Sequence, residues 1–142
     1  MQILGIDPGR KRIGLALSDE ADGTLALPFR TVERGANDVE AARTVQAAIV
    51  DRTVTRVVVG LPLRLDGSEG EAARRVRRFI AALEKTLQLP VHVIDERLTT
   101  LSAERGLREM GVRAERRREV VDQSAAAIIL QTFLDSRTSS EE

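Results

Sequence analysis

Carboxylates are the residues of this sequence best placed to do chemistry. Asp7 stands directly before Pro8-Gly9, and Asp95-Glu96 follow the apolar run Val91-His-Val-Ile94. Asp122 shares helical spacing with Ala125, Ala126, Ile129 and Phe133. A carboxylate on an apolar stripe needs a partner, because burying it alone is costly. The chain has no cysteine and a single histidine, His92. Converging carboxylates in such a chain are a ligand set for hard cations, Mg²⁺ or Mn²⁺. Two such ions about 4 Å apart can activate a water and stabilise the leaving oxygen in phosphodiester hydrolysis. That chemistry needs no side-chain nucleophile, and none is evident here. Each acid also has a plainer reading. Asp7 could only start a turn, and Asp122 could only offset a helix dipole. Their joint placement favours the metal site.

That placement depends on the elements around them. Gln2–Pro8 reads as a strand stopped by Pro8-Gly9, and Arg12–Ser18 as its antiparallel partner around Gly9-Arg10-Lys11. Thr24–Val32 suits a third strand, with Pro28 limiting it to an edge or a bulge. Asn37 and Glu40 have capping-box spacing before a stripe of Ala41, Ala42, Val45, Ala48 and Ile49. Arg56–Gly60 is β-branched and nearly all apolar, as befits a strand covered on both faces. Leu61–Gly70 is a loop, near whose end Ser68, with Glu71, offers a second capping box. Val76, Phe79, Ile80, Leu83 and Leu87 then form a helical stripe.

Val91–Ile94 is the last strand, a helix from about Thr100 to Met110 would end at Gly111, and a final helix spans roughly Val120–Leu134. The order predicts one α/β domain over 1–135. Its mixed five-stranded sheet has an antiparallel opening hairpin, then parallel strands, with helices on both faces. Residues 136–142 are polar and read as a disordered tail. In such a sheet, the crevice beyond the carboxyl ends of the strands is the usual ligand site. The three acids could meet there.

Composition narrows the classes further. At 142 residues with 42% hydrophobic content, the chain can bury one core, so wholesale disorder is excluded. Its 22 Lys+Arg balance 22 Asp+Glu, which argues against a uniformly basic nucleic-acid glove. The absence of cysteine excludes disulfide scaffolds, thiol nucleophiles and Cys-ligated zinc. Three phenylalanines, Phe29, Phe79 and Phe133, with no Tyr or Trp, cannot supply an aromatic base-stacking platform. No apolar stretch is long enough to span a bilayer, and the opening residues do not read as a signal peptide. The expectation is a cytoplasmic protein without a membrane partner.

Four ordered motifs give the chain a family resemblance. Gly5-Ile-Asp-Pro-Gly9 with Lys11-Arg-Ile-Gly14 and Ser18-Asp19 resembles the opening of the YqgF/RuvX family, bacterial nucleases of RNase H-like fold. Val59-Gly-Leu-Pro62 with Asp66-Gly67, Asp95-Glu-Arg-Leu-Thr-Thr100 and Val121-Asp-Gln-Ser-Ala-Ala126 resemble its later motifs in order, so the match runs from Ile3 to Leu134. The resemblance implies that Asp7, Glu96 and Asp122 are the metal-binding catalytic carboxylates. It also implies a cytoplasmic role in precursor ribosomal RNA maturation, in Holliday-junction or branched-DNA processing, or in both.

The other motif residues then take expected roles. Gly5 and Gly9 would let backbone and phosphate approach closely beside Asp7. Lys11, Arg12 and Arg97 are candidates for holding phosphates, with Thr99 and Thr100 offering hydroxyls; an N-cap is an equal reading of Thr100. Asp95 reads as a supporting or surface acid, and His92 as structural. Phosphate contact is favoured for Arg116, Arg117 and Arg118, and solvated surface for much of the Arg74–Arg78 group. Symmetric cutting of a four-way junction would need two active sites and hence a homodimer, for which no apolar stripe speaks clearly.

Two other readings compete. A non-catalytic nucleic-acid-binding or ribosome-assembly module could bind through arginines alone, but it gains nothing from acids that repel phosphate. Half of an actin-like or sugar-kinase-like ATPase ranks third, because such enzymes close two domains around the nucleotide.

Overall fold

The computed structural model describes residues 1–97 and 125–137. Five strands, β1 (Gln2–Pro8), β2 (Arg12–Ser18), β3 (Ala26–Glu33), β4 (Val54–Leu61) and β5 (Val91–Asp95), form a sheet in the order β3-β2-β1-β4-β5. The β1–β2 and β2–β3 pairs are antiparallel, whereas β1–β4 and β4–β5 are parallel. This is the expected mixed sheet. Its parallel half is joined through α1 (Asp38–Ala48) and α2 (Glu71–Leu87).

Pro28 acts in both of the ways its chemistry allows. It lies on β3, an edge strand, and the β2–β3 register slips there: Ala16 faces Pro28 while Leu15 faces Arg30. The Asn37 side chain accepts from Glu40 N at 2.9 Å and caps α1, while the Glu40 carboxylate accepts from Ala36 N. The second expected capping box does not form. Gly70 is the N-cap of α2 with no side-chain bond, because Ser68 is held by Asp66, to which its Oγ donates at 2.6 Å.

Alternation along the strands sorts the core into two clusters. Leu4, Ile6, Ile13, Leu15, Leu17, Val57, Val59 and Leu61 face α1 and α2. Ile3, Ala16 and Val58 face a helix at 125–137, whose Ala126, Ile129, Leu130 and Phe133 cover them. The sheet is therefore helix-covered on both faces. This helix runs through 137, and Ser136 Oγ donates to Phe133 O at 2.9 Å. It thus passes two residues beyond the expected domain end. The beginning of this final helix and the helix expected near 100–110 lie outside the described residues, as do 138–142. Among the described residues no helix is long and apolar enough to cross a membrane.

Candidate active site

The strands set small residues, Gly5, Ala16 and Gly60, beside Ile3 and Val58 on the second face, where the first takes only larger ones. A Cβ on Gly5 would stand 2.7 Å from Leu130 Cβ and 2.9 Å from Ala126 O, so the helix at 125–137 lies directly against β1. Gly5 therefore makes room for a helix, not for a phosphate as expected. On β4, a Cβ on Gly60 would stand 2.6 Å from Ile129 Cδ1 and 3.3 Å from the Glu96 carboxyl carbon.

Gly60 is what lets the acids meet. Asp7 sits at the carboxyl end of β1, paired with Gly14 of β2, and Glu96 directly follows β5. Strand β4 runs between β1 and β5, so a side chain at 60 would occupy the space that the Glu96 carboxyl uses. With glycine there, the Asp7 carboxyl hydrogen-bonds Glu96. Burial first, then the hydrogen bond and charge of Glu96, push Asp7 up to about 9. In the metal-free protein this proton separates two facing acids. The donor set suits a hard divalent cation, which would replace the proton and neutralise both groups.

Asp95 takes a different role from its neighbour. The Arg97 Nη2 donates to Asp95 Oδ2 at 2.6 Å, and Arg97 Nε lies 3.0 and 3.1 Å from the two carboxylate oxygens. Hydrogen bonds from Arg97 hold the Asp95 carboxyl below its ordinary value. Arg97 Nη1 also donates to the carbonyls of Arg64 and Leu65, at 3.2 and 3.0 Å. Arg97 thus ties the end of β5 to the 62–70 loop. That loop closes on itself, with Asp66 accepting from Ser68 and Gly67 N donating to Arg64 O.

The acids open into a cleft of about 410 Å³, also lined by Pro8, Gly9, Arg10, Pro62, Leu63, Arg75 and Arg97. Of the expected site residues, it brings together Asp7, Glu96 and Arg97. Lys11, just before β2, and Arg12, its first residue, are exposed and do not line the cleft. Asp122, Thr99, Thr100, Arg116, Arg117 and Arg118 lie outside the described residues. Sequence reasoning missed Arg10 and Arg75 as cleft residues, and Gly60 as the position that makes room for Glu96. A signal existed for Gly60, since a glycine in a β-branched run marks close approach. The two arginines carried no comparable signal.

Two other motif residues prove structural. Ser18 is buried; its Oγ accepts from Ile3 N at 2.8 Å, while its carbonyl accepts from Gln2 Nε2. Asp19 accepts from the backbone N–H groups of Asp22, Thr24 and Leu25, which close the β2–β3 turn and lower its carboxyl. His92 packs on Phe133, with ring centroids 4.9 Å apart. Phe79 and Phe133 are buried, and Phe29 lies beneath the guanidinium groups of Arg30 and Arg52.

Comparison with known proteins agrees with this architecture. A "Putative pre-16S rRNA nuclease" of Nocardioides sp. (strain ATCC BAA-499 / JS614) is 49% identical over 136 residues, covering 94% of this chain and 86% of the relative. A protein of the same name from Anaeromyxobacter dehalogenans (strain 2CP-C) is 49% identical over 137 residues, covering 96% and 98%. The fold is shared with T. thermophilus RuvC solved in complex with a Holliday junction substrate. There the TM-score is 0.60 at 19% identity, with 99% of this chain and 98% of that one covered. The profile of the RuvX family, described as Holliday junction resolvase, matches residues 1–136, and the chain belongs to that family.

Proposed function

We propose that the chain is a divalent-metal-dependent nuclease in which Asp7, Glu96 and Asp122 hold Mg²⁺ or Mn²⁺. The observation that carries this reading is the Asp7–Glu96 pair, brought into hydrogen-bonding contact across Gly60 at the mouth of an open cleft. A binding module without catalysis has no use for two acids held face to face where a polyanion would lie. When bound, the metal supplies the charge that activates a water and stabilises the leaving oxygen, with two ions as the proposed arrangement. The chain's own part is to hold the carboxylates at a fixed spacing. The Arg97 tie keeps the 62–70 loop against the end of β5, beside Glu96. The names of the relatives favour precursor 16S ribosomal RNA as substrate. The family description favours a four-way junction as the second reading.

The test is a cleavage assay on precursor 16S RNA, single-stranded DNA and a four-way DNA junction, each with Mg²⁺, Mn²⁺ or EDTA. Metal-dependent cutting of the RNA by wild type, lost in Asp7→Asn with the fold and nucleic-acid binding retained, is the expected result. Cutting of the junction alone moves the substrate to branched DNA. Wild-type rates in Asp7→Asn overturn the carboxylate assignment.

A further inference from the structure

The four arginines of α2 are not equivalent. Arg77 forms two hydrogen bonds of 3.1 Å with Glu69, and Arg74 and Arg78 each lie 3.8 Å from Glu71. Arg75 has no ion pair or hydrogen bond among the described residues. It is nevertheless partly withdrawn from water and lines the cleft that holds Asp7 and Glu96. Arg10, on the β1–β2 turn, lines the same cleft and likewise has no partner among the described residues. By contrast, the guanidinium of Arg97 is engaged by Asp95 and two loop carbonyls.

A half-buried guanidinium without a counter-ion is a site for an anion, and its planar fork matches phosphate oxygens. The acids beside it would repel a nucleic-acid backbone, so cations in the same cleft must offset them. We propose that Arg75 and Arg10, from two separate elements, clamp the phosphate backbone of the substrate beside the carboxylates. They act as binding and positioning residues. The proposal rests on the nuclease reading for what the clamp serves, but not for whether nucleic acid binds there.

The test separates position from bulk charge. Binding of labelled single-stranded RNA and of a four-way DNA junction is measured by fluorescence anisotropy in EDTA across a salt series. Metal-dependent cleavage follows. Arg75→Gln and Arg10→Gln should each weaken binding about 10-fold. Each should lower the salt slope by about one and raise KM while kcat at saturation is kept. Arg75→Lys should restore part of the affinity, and thermal melts check that each variant is folded. Arg74→Gln and Arg78→Gln make the same charge change on the same helix and should bind as wild type. The clamp is overturned if Arg75→Gln binds as wild type, or if Arg74→Gln loses as much. If wild type binds but never cuts, the nuclease reading fails while the binding comparison still decides the clamp.

Discussion

The two faces of the sheet are built on opposite principles. Toward α1 and α2, the strands present Leu4, Ile6, Ile13, Leu15, Val57 and Val59, all fully buried. Burying a side chain of this size contributes roughly 1.5–3 kcal/mol, so this face is a large source of the fold's stability. Toward the helix at 125–137, neighbouring positions hold Gly5, Ala16 and Gly60, which add little apolar area but bring a helix close. The same smallness leaves space at the strand ends for Asp7 and Glu96. Bulk makes one face stable, and the lack of it makes the other able to hold two acids. The two properties should therefore be separable by mutation.

The largest effect is expected at Gly60. Gly60→Val puts side-chain atoms where Ile129 and the Glu96 carboxyl now stand, and overpacking of this kind costs about 1–3 kcal/mol. Cleavage should fall at least about 100-fold, since small misplacement of a reacting group has that effect. Assays below the melting temperature of the variant separate the two losses. On the other face, Leu83→Ala should cost about 2–5 kcal/mol by leaving a cavity. A urea titration measures this, and cleavage by the folded protein should stay near the wild-type rate. Equal damage to activity from both substitutions would erase the distinction between the faces.

A subtler difference concerns pH. Without metal, Asp7 moves from an ordinary 3.8 to about 9 on folding. The folded state then keeps a proton that the unfolded state has lost, so stability falls as pH rises. This contribution is complete below about pH 4 and is eroded progressively up to about pH 9. Asp7→Asn keeps a neutral group in place and should flatten the profile. At about pH 8 it should be more stable than the metal-free wild type. Denaturation midpoints across this range check the sign, and a steeper decline in the variant would refute it. The smallest effect is expected at Asn37, which does not line the cleft. Asn37→Ala removes the α1 cap and should cost about 1 kcal/mol, read as a lower melting temperature with unchanged cleavage.

Much of the frame was legible because its signals are local. The hairpin followed from alternation around Pro8-Gly9, and α2 from its stripe of Val76, Phe79, Ile80 and Leu83, all of which are buried. Ser68 shows where local reasoning fails. Its spacing from Glu71 suggested a cap, yet Asp66, two residues earlier, competes for the same hydroxyl and holds it at 2.6 Å. Strand β4 is longer than the Arg56–Gly60 run predicts, because Val54 and Leu61 join it through partners elsewhere in the chain.

By itself the sequence determined the order of strands and helices, the mixed sheet, and the placing of Asp7 and Asp95-Glu96 at strand ends. Periodicity, turn chemistry and the absence of cysteine are properties of neighbouring residues, and they act before any tertiary contact forms. Tertiary structure alone decided that Glu96 meets Asp7 while Asp95 turns to Arg97, and that Gly60 makes the space between the acids. It also decided that Arg75, of four similar arginines, enters the cleft. Each of these depends on register across β1, β4 and β5 or on the docking of α2. Pairing between residues distant in the chain is set by how the layers pack, which no local pattern encodes.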